Sequence, residues 1–335
     1  MVLVTGATGI LGRLIVLELL KRGRKVRATH RPNSNLEEVR KSFRFYTETP
    51  DVFFQKIEWV EVDFSDLDSL QQALQGVEEV YHTAGKVSFN PKDRKELFKT
   101  NISNTKRLLY ACEETQVKKF CHISSIAVLD GLNEKGEMDE DSDFNPKFNH
   151  SDYALSKHYS EMEVWRASAE GLPVVVLNPG VIIGSGNWEQ SSGEIFSTME
   201  RNAYTFKGAS SYVDVRDVAE IAIRLMEENA FGERFVIVSE TIDYKEVAIQ
   251  IRRKLNRSMP KLIPDFLLKL GLLLSFLLGW LFPSLRIINR LNISTLNTKT
   301  KVSADKIKKR LGYSFIPIRE SIDFHLNNYI KDKKQ

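Results

Sequence analysis

Cysteine is almost missing from this chain: Cys112 and Cys121 are its only two. A single pair of thiols without metal-ligand spacing builds neither a disulfide framework nor a metal centre, so a reducing compartment and no metal are expected. Charge of one sign is scarce as well. The 48 Lys and Arg against 44 Asp and Glu leave a formal net charge of +4, and no dense basic stripe is interleaved with aromatics. Nucleic acid is therefore not an expected partner. Internal repeats are absent. The first apolar run starts at Met1 or Val2, which leaves no room for a signal peptide, and the cytoplasm is the expected location. With 335 residues, 42% of them apolar and 27% charged, the chain can bury a substantial core, as two domains or one enlarged α/β domain.

What is present begins at the first residues. Val2-Leu3-Val4 reads as a buried parallel strand, Thr5-Gly6-Ala7-Thr8-Gly9-Ile10-Leu11-Gly12 as a glycine turn, and Leu14 to Leu20 as an apolar helix. Strand, turn and helix in that order form the first half of a dinucleotide site. Gly6 permits the tight turn, Gly9 lets the backbone approach a pyrophosphate, and Gly12 brings helix and strand together. The helix start around Thr8, Ile10 and Leu11 then offers free N–H groups and the positive end of its dipole to phosphate.

Further strands are expected at 25–30, 57–62, 79–83, 119–123, 174–177 and 234–238, with helical patterns between most of them. This alternation implies right-handed βαβ units and a Rossmann-type, doubly wound, mostly parallel sheet of about seven strands with a smaller C-terminal substrate region. Residues 1–180 and about 212–242 are expected to build the dinucleotide-binding domain, and 181–211 with 243–335 most of the lid. The aromatic and charged stretch 41–55 reads as a surface helix. The polar stretch 130–150, with Gly131, Gly136 and Pro146, reads as a mobile loop near the site.

The end of the second strand bears on cofactor choice. An acid there would bind the ribose 2′-hydroxyl of NAD. Here Ala28-Thr29-His30-Arg31 has none, and Arg31 lies where the 2′-phosphate of NADP would sit, which its planar fork is suited to grip. NADP is the expected cofactor, with NAD as the alternative. Asp63, before Phe64, is placed to accept a bond from the adenine amino group or to cap the following helix. Tyr153 and Lys157 stand four apart on one face of a helix, some thirty residues beyond Ser124-Ser125 at the end of the fifth strand. A tyrosine titrates near pH ~10, and a neighbouring ammonium would lower that value into a usable range.

Taken together, T-G-A-T-G-I-L-G, V-D-F-S-D around Asp63, Y-H-T-A-G-K, the serine pair, Y-A-L-S-K and Y-V-D-V-R-D-V-A resemble the extended short-chain dehydrogenase/reductase family. This is the NAD-dependent epimerase/dehydratase family, and the likeness is strongest to its dihydroflavonol-reductase, cinnamoyl-CoA-reductase and 3β-hydroxysteroid-dehydrogenase branch. The resemblance implies that Ser125 bonds the substrate oxygen, with Ser124 as the runner-up. It implies that Tyr153 passes the proton and that Lys157 acidifies Tyr153 and holds the nicotinamide ribose. It also implies cofactor contacts from Thr83, Ala84 and Gly85, and from Pro179, Gly180 and Ile182 over the nicotinamide. Asn101 matches an asparagine that supports the active-site helix. Relatives that bind NADP carry a lysine a little beyond the Arg31 position, where this chain has Glu37-Glu38. Nucleotide-sugar relatives carry arginines before Pro179 and before Tyr212, where this chain has Asn178 and Ala209-Ser210-Ser211.

The expected function is an NADP(H)-dependent oxidoreductase interconverting a carbonyl and an alcohol on a fairly apolar small molecule. The alternatives are a nucleotide-sugar epimerase with bound NAD and, outside enzymes, a dinucleotide-sensing binding protein. The apolar stretch 262–282 carries no motif. A buried or substrate-covering helix over the mouth of the site is expected there; a peripheral membrane contact or a homodimer face is the alternative.

Overall fold

Alternation along the strands decides how the core is divided. In the computed structural model, which describes residues 1–189, 193–278 and 283–334, the run Val174-Val175-Val176-Leu177 is fully buried. Val175 and Leu177 join the apolar cluster on one face of a sheet, and Val174 and Val176 join the cluster on the other. Val2 and Val4 divide from Leu3 in the same way, as Cys121 and Ile123 do from Phe120. Side chains of successive strand residues point to opposite faces, so a strand apolar at every position belongs in a sheet covered on both sides. Burying each such Val, Leu or Ile contributes about 1.5–3 kcal/mol.

In chain order the strands are β1 (Val2–Thr5), β2 (Val26–His30), β3 (Glu58–Glu61), β4 (Glu79–His82), β5 (Lys119–Ile123) and β6 (Val174–Pro179), then β7 (Val181–Ile183), β8 (Tyr204–Thr205), β9 (Ala209–Asp214), β10 (Glu233–Ile237), β11 (Glu240–Asp243) and β12 (Lys261–Leu262). Among the described residues, seven of them form one parallel sheet in the order β10-β6-β5-β4-β1-β2-β3. This is the Rossmann arrangement expected. The order reverses between β1 and β4, where open parallel sheets leave a crevice at the strand ends. The Ile10–Lys21 and Val215–Glu227 helices cover one face. The Leu67–Leu74, Asn104–Glu114 and Asp152–Ala169 helices cover the other.

A three-stranded sheet, β11-β9-β7, and a two-stranded one, β12-β8, lie outside this frame. A third apolar cluster joins Ile183, Phe196 and Tyr212 to Val247, Ile251 and the Ile318–Lys333 helix. A buried chain of hydrogen bonds runs beside it. Ser185 Oγ meets His325 Nδ1 at 2.7 Å, and His325 Nε2 meets Asp214 Oδ2 at 3.2 Å.

Three expectations change. The stretch 41–55 is a surface helix only over Pro50–Phe54, where no residue is buried; before it comes a short turn at Phe43–Phe45, and Phe43 is buried. Tyr46 accepts the Ser185 amide at 2.9 Å, and Phe45 meets Trp188 edge to face. Aromatics this dense pack inward and tie the sheet to the C-terminal region. The irregular stretch 130–150 is pinned rather than loose. His150 bonds Asp130 at 2.8 Å, Phe144 stacks on both His150 and His158, and Met138 bridges to Val302. Finally, the expected buried helix within 262–282 is a helix over Asp265–Leu278 in which no residue from Asp265 to Leu277 is buried. Residues 279–282 of that stretch lie outside the described residues. Among the described residues, no helix is long and apolar enough to cross a membrane.

Candidate active site

The glycine turn is shaped by what its neighbours leave no room for. Gly6 has φ +69°, and a Cβ there would lie 2.6 Å from the Ala84 amide nitrogen. A Cβ at Gly12 would run into the Gly6 carbonyl and lie 2.6 Å from Thr83 Oγ1. These two glycines therefore close β1, β4 and the first helix onto one another. At Gly9 a Cβ would meet only the Gly6 oxygen, at 3.2 Å, so this side of the turn is an open cradle. Gly9 caps the helix that starts at Ile10, and the first amides of a helix have no acceptor within it. An open glycine face beside free amides fits a dinucleotide phosphate.

Arg13 holds the turn in place. Only 1% exposed, it donates from Nε to the Gly9 carbonyl at 3.2 Å and from Nη2 to the Thr8 carbonyl. The fork also clasps Glu38, with Nη1 to Oε1 at 2.8 Å and Nη2 to Oε2 at 2.7 Å. Glu38 further accepts the Asn187 amide at 3.0 Å. One arginine thus joins the phosphate turn to the segment after β2 and to the loop after β7. The sequence reading passed over it, although a lone cation in Ile10-Leu11-Gly12-Arg13-Leu14-Ile15 was the available signal.

At the expected adenosine end, Arg31 is exposed and its guanidinium has no partner among the described residues. The acids that stand near it in sequence are committed elsewhere, Glu38 to Arg13 and Glu37 to Arg40 at 2.7 Å. Asp63 accepts from the Ser65 amide and hydroxyl through Oδ1, which holds its carboxyl below the usual range. Asp66, not Asp63, caps the next helix. Phe64 faces the His82 ring, with centroids 6.4 Å apart. Thr83, just past β4, donates its hydroxyl to the Thr5 carbonyl at 2.7 Å.

Ser125, Tyr153 and Lys157 converge at the ends of β5 and the Asp152–Ala169 helix. Ser151 caps that helix by accepting the Ala154 amide at 3.1 Å, which sets Tyr153 in its first turn. The Tyr153 phenol faces the Ser125 side chain; burial pushes the phenol above its ordinary value and Ser125 draws it partly back. Ser124 turns the other way and donates to Glu161 Oε2 at 2.6 Å. The two neighbouring serines are therefore distinct, and Ser125 is the one that meets the tyrosine. Lys157 is only 6% exposed, and its Nζ donates to the Ile123 carbonyl at 2.6 Å. Burial draws its value down to about 8, against the pull of Glu161. Burial dominates at the Tyr153 phenol, and the Lys157 ammonium is held at the end of β5.

Beneath these groups lies a polar floor. Glu161, 3% exposed, accepts from Ser124, from Asn178 Nδ2 at 3.1 Å and from Trp165 Nε1 at 3.2 Å. Asn178 also donates to the Ser125 carbonyl at 3.1 Å and is fully buried. Asn101 sits in a π-helical turn over Lys99–Ser103, a local widening often found at functional sites. Its side chain bonds both the amide and carbonyl of Lys86 and the hydroxyl of Ser156, between Tyr153 and Lys157. A Cβ on Gly85 would lie 3.8 Å from Lys157 Nζ. Pro179 ends β6, Gly180 packs on the Ser211 carbonyl, and Ile182 pairs with Val213. Glu161 was missed in the sequence, though its place four residues past Lys157 puts it on the same helix face. Phe89 was missed too. Its ring meets Tyr153 edge to face at 5.6 Å and is 49% exposed, an apolar wall beside the phenol.

Comparisons agree with this architecture. A family model described as the NAD dependent epimerase/dehydratase family matches residues 2–238. Sterol demethylase protein B of Methylococcus capsulatus is 30% identical over 318 residues, covering 92% of both chains. A putative dihydroflavonol 4-reductase of Synechocystis is 27% identical over 77% of this chain and 73% of its own. The crystal structure of gox2253 superposes with a TM-score of 0.82 at 26% identity, covering 100% of this chain and 99% of that one.

Proposed function

This chain belongs to the NAD dependent epimerase/dehydratase family of extended short-chain dehydrogenases/reductases, and on that premise we propose that it is an NADP(H)-dependent oxidoreductase that interconverts a carbonyl and an alcohol on a fairly apolar substrate. The observation that carries this reading is the meeting of Ser125, Tyr153 and Lys157 at the carboxyl end of β5. A substrate oxygen between those two hydroxyls would be oriented by Ser125 and would exchange its proton with Tyr153. A phenol held above its ordinary value is protonated at neutral pH, the state needed to donate to a forming alkoxide. The dinucleotide supplies the hydride when bound.

Lys157 would hold the nicotinamide ribose and add positive charge behind the reacting oxygen. Gly6, Thr8, Gly9, Ile10, Leu11 and Gly12 would hold the pyrophosphate, with Arg31 at the 2′-phosphate and Asp63 and Phe64 at adenine. Thr83, Ala84 and Gly85 would flank the ribose, and Pro179, Gly180 and Ile182 the nicotinamide. Residues 181–211 and 243–335 would form the substrate region.

Three features favour an apolar substrate. Asn178 is buried under Ser125 and presents no cation to a diphosphate. Phe89 walls the phenol, and a relative matched over nearly its whole length is a sterol demethylase protein. The test is to denature purified protein and identify any dinucleotide released. An empty or freely exchanging site supports the reductase; stoichiometric retained NAD supports an epimerase.

A further inference from the structure

The Asp265–Leu278 helix is the most exposed apolar element of the described chain. Phe266, Leu270, Leu273, Phe276 and Leu277 are 67, 46, 52, 83 and 52% exposed. The helix leans on the short Pro283–Ile287 turn, and Gly271 faces Ile288, but among the described residues little else covers it. Its single acid, Asp265, is neutralised by Lys207 at 2.7 Å. Apolar surface costs roughly 25 cal/mol per Å² in water, so an aliphatic helix left bare on this scale needs something to cover it.

Charge decides what covers it. Residues 251–310 hold fourteen Lys and Arg and two Asp and Glu, although the whole chain is only +4, so the remainder is net acidic. On the helix or beside it in the chain, Lys261, Lys269 and Arg290 form no salt bridge among the described residues, although Lys269 also acts on Asp265. A second copy would bring the same unneutralised cations face to face. An anionic lipid surface matches both the aliphatic face and the cations. At about 1.5 Å per residue the described helix is roughly 21 Å long, short of the ~30 Å hydrocarbon core, and in this proposal it lies in the interface.

We infer that this helix and its flanking lysines and arginines dock the protein on membranes containing anionic phospholipid. The docking face adjoins the candidate active site. The Pro283–Ile287 turn packs on the Pro91–Asp93 turn, and Asn292 Nδ2 donates to the carbonyl of Phe89 at 3.3 Å, whose ring touches Tyr153.

The test is flotation of the full chain with vesicles of phosphatidylcholine alone, or of phosphatidylcholine with phosphatidylglycerol. The protein should float with the anionic vesicles and bind the neutral ones about ten-fold more weakly at low salt. Leu273→Asp combined with Phe276→Asp should abolish flotation while thermal stability and dinucleotide binding stay unchanged, since both side chains are exposed. Lys269→Glu should weaken anionic-vesicle binding about five-fold or more, because each basic residue near such a surface contributes about 1 kcal/mol. Wild type that stays at the bottom of the gradient with both vesicle types would overturn the inference. So would a wild-type dimer that anionic vesicles leave intact and that the double variant splits into monomers, which would assign the face to a second copy.

Discussion

Lys157 donates a 2.6 Å hydrogen bond to the carbonyl oxygen of Ile123, the last residue of β5. This bond fixes the ammonium at the end of β5. It places the charge between the end of β5 and Gly85, where a ribose is expected. Lysine and tyrosine then have separable duties, and the measurements below separate them.

The serine pair gives the sharpest contrast between neighbours. Ser125→Ala removes the hydroxyl that meets Tyr153, and reduction should fall by about 10²–10⁴-fold with dinucleotide affinity unchanged. Ser124→Ala instead strips a partner from buried Glu161 and should cost about 1–3 kcal/mol of stability with a small effect on turnover. Steady-state kinetics alongside thermal melts check both; the reverse pattern would move the substrate oxygen to Ser124.

For Arg31, whose guanidinium is unpartnered among the described residues, the expected effect is selective. One charge-assisted bond is worth about 1.5–3 kcal/mol, so Arg31→Ala should weaken NADPH about ten- to a hundred-fold and NADH little. Fluorescence titration of both cofactors decides it. Equal loss for the two would remove Arg31 from the 2′-phosphate.

Glu161 acts through Lys157. Burial holds the ammonium down to about 8 and the Glu161 carboxylate opposes that shift. Activity that needs the cation should decline as pH rises through about 8. Glu161→Gln should move this limb to lower pH, while a merely structural role would leave it in place. Stability follows the same proton. Lys157 loses its proton at a lower pH in the folded chain than in the unfolded one, so its contribution to stability should rise between about pH 8 and 10.5.

Arg13 and Glu38 form a forked pair with the arginine 1% exposed. Removing one member of such a pair typically costs about 3–5 kcal/mol, because the other is left uncompensated. Arg13→Met should lower the melting temperature and weaken both dinucleotides together. Adding Glu38→Leu should recover part of the stability but not the affinity, because the Thr8 and Gly9 carbonyls still lack their donor.

The central sheet was legible because its strands are buried on both faces and so read as continuous β-branched runs, as at Val174-Val175-Val176. The glycine turn was legible because Gly6 and Gly12 stand where neighbouring backbone forbids any Cβ. The small sheet of β7, β9 and β11 was not, since Val181–Ile183 is too short to show a period and its partners lie far along the chain. Arg13, Phe89 and Glu161 act through contacts 25, 64 and 37 residues away, to Glu38, Tyr153 and Ser124, and no local pattern announces such partners. The Asp265–Leu278 helix was read as apolar but not as exposed, because an all-apolar helix has no polar face to reveal which side meets water.

The most direct test is consumption of reduced nicotinamide by wild type and Tyr153→Phe, offered either a panel of apolar cyclic ketones, including a sterol ketone, or UDP-glucose. The account predicts NADPH-dependent reduction of an apolar ketone, lost by about 10²–10⁴-fold in Tyr153→Phe with NADPH binding retained. Epimerisation of UDP-glucose with no net change in nicotinamide, or ketone reduction that survives Tyr153→Phe, would contradict it.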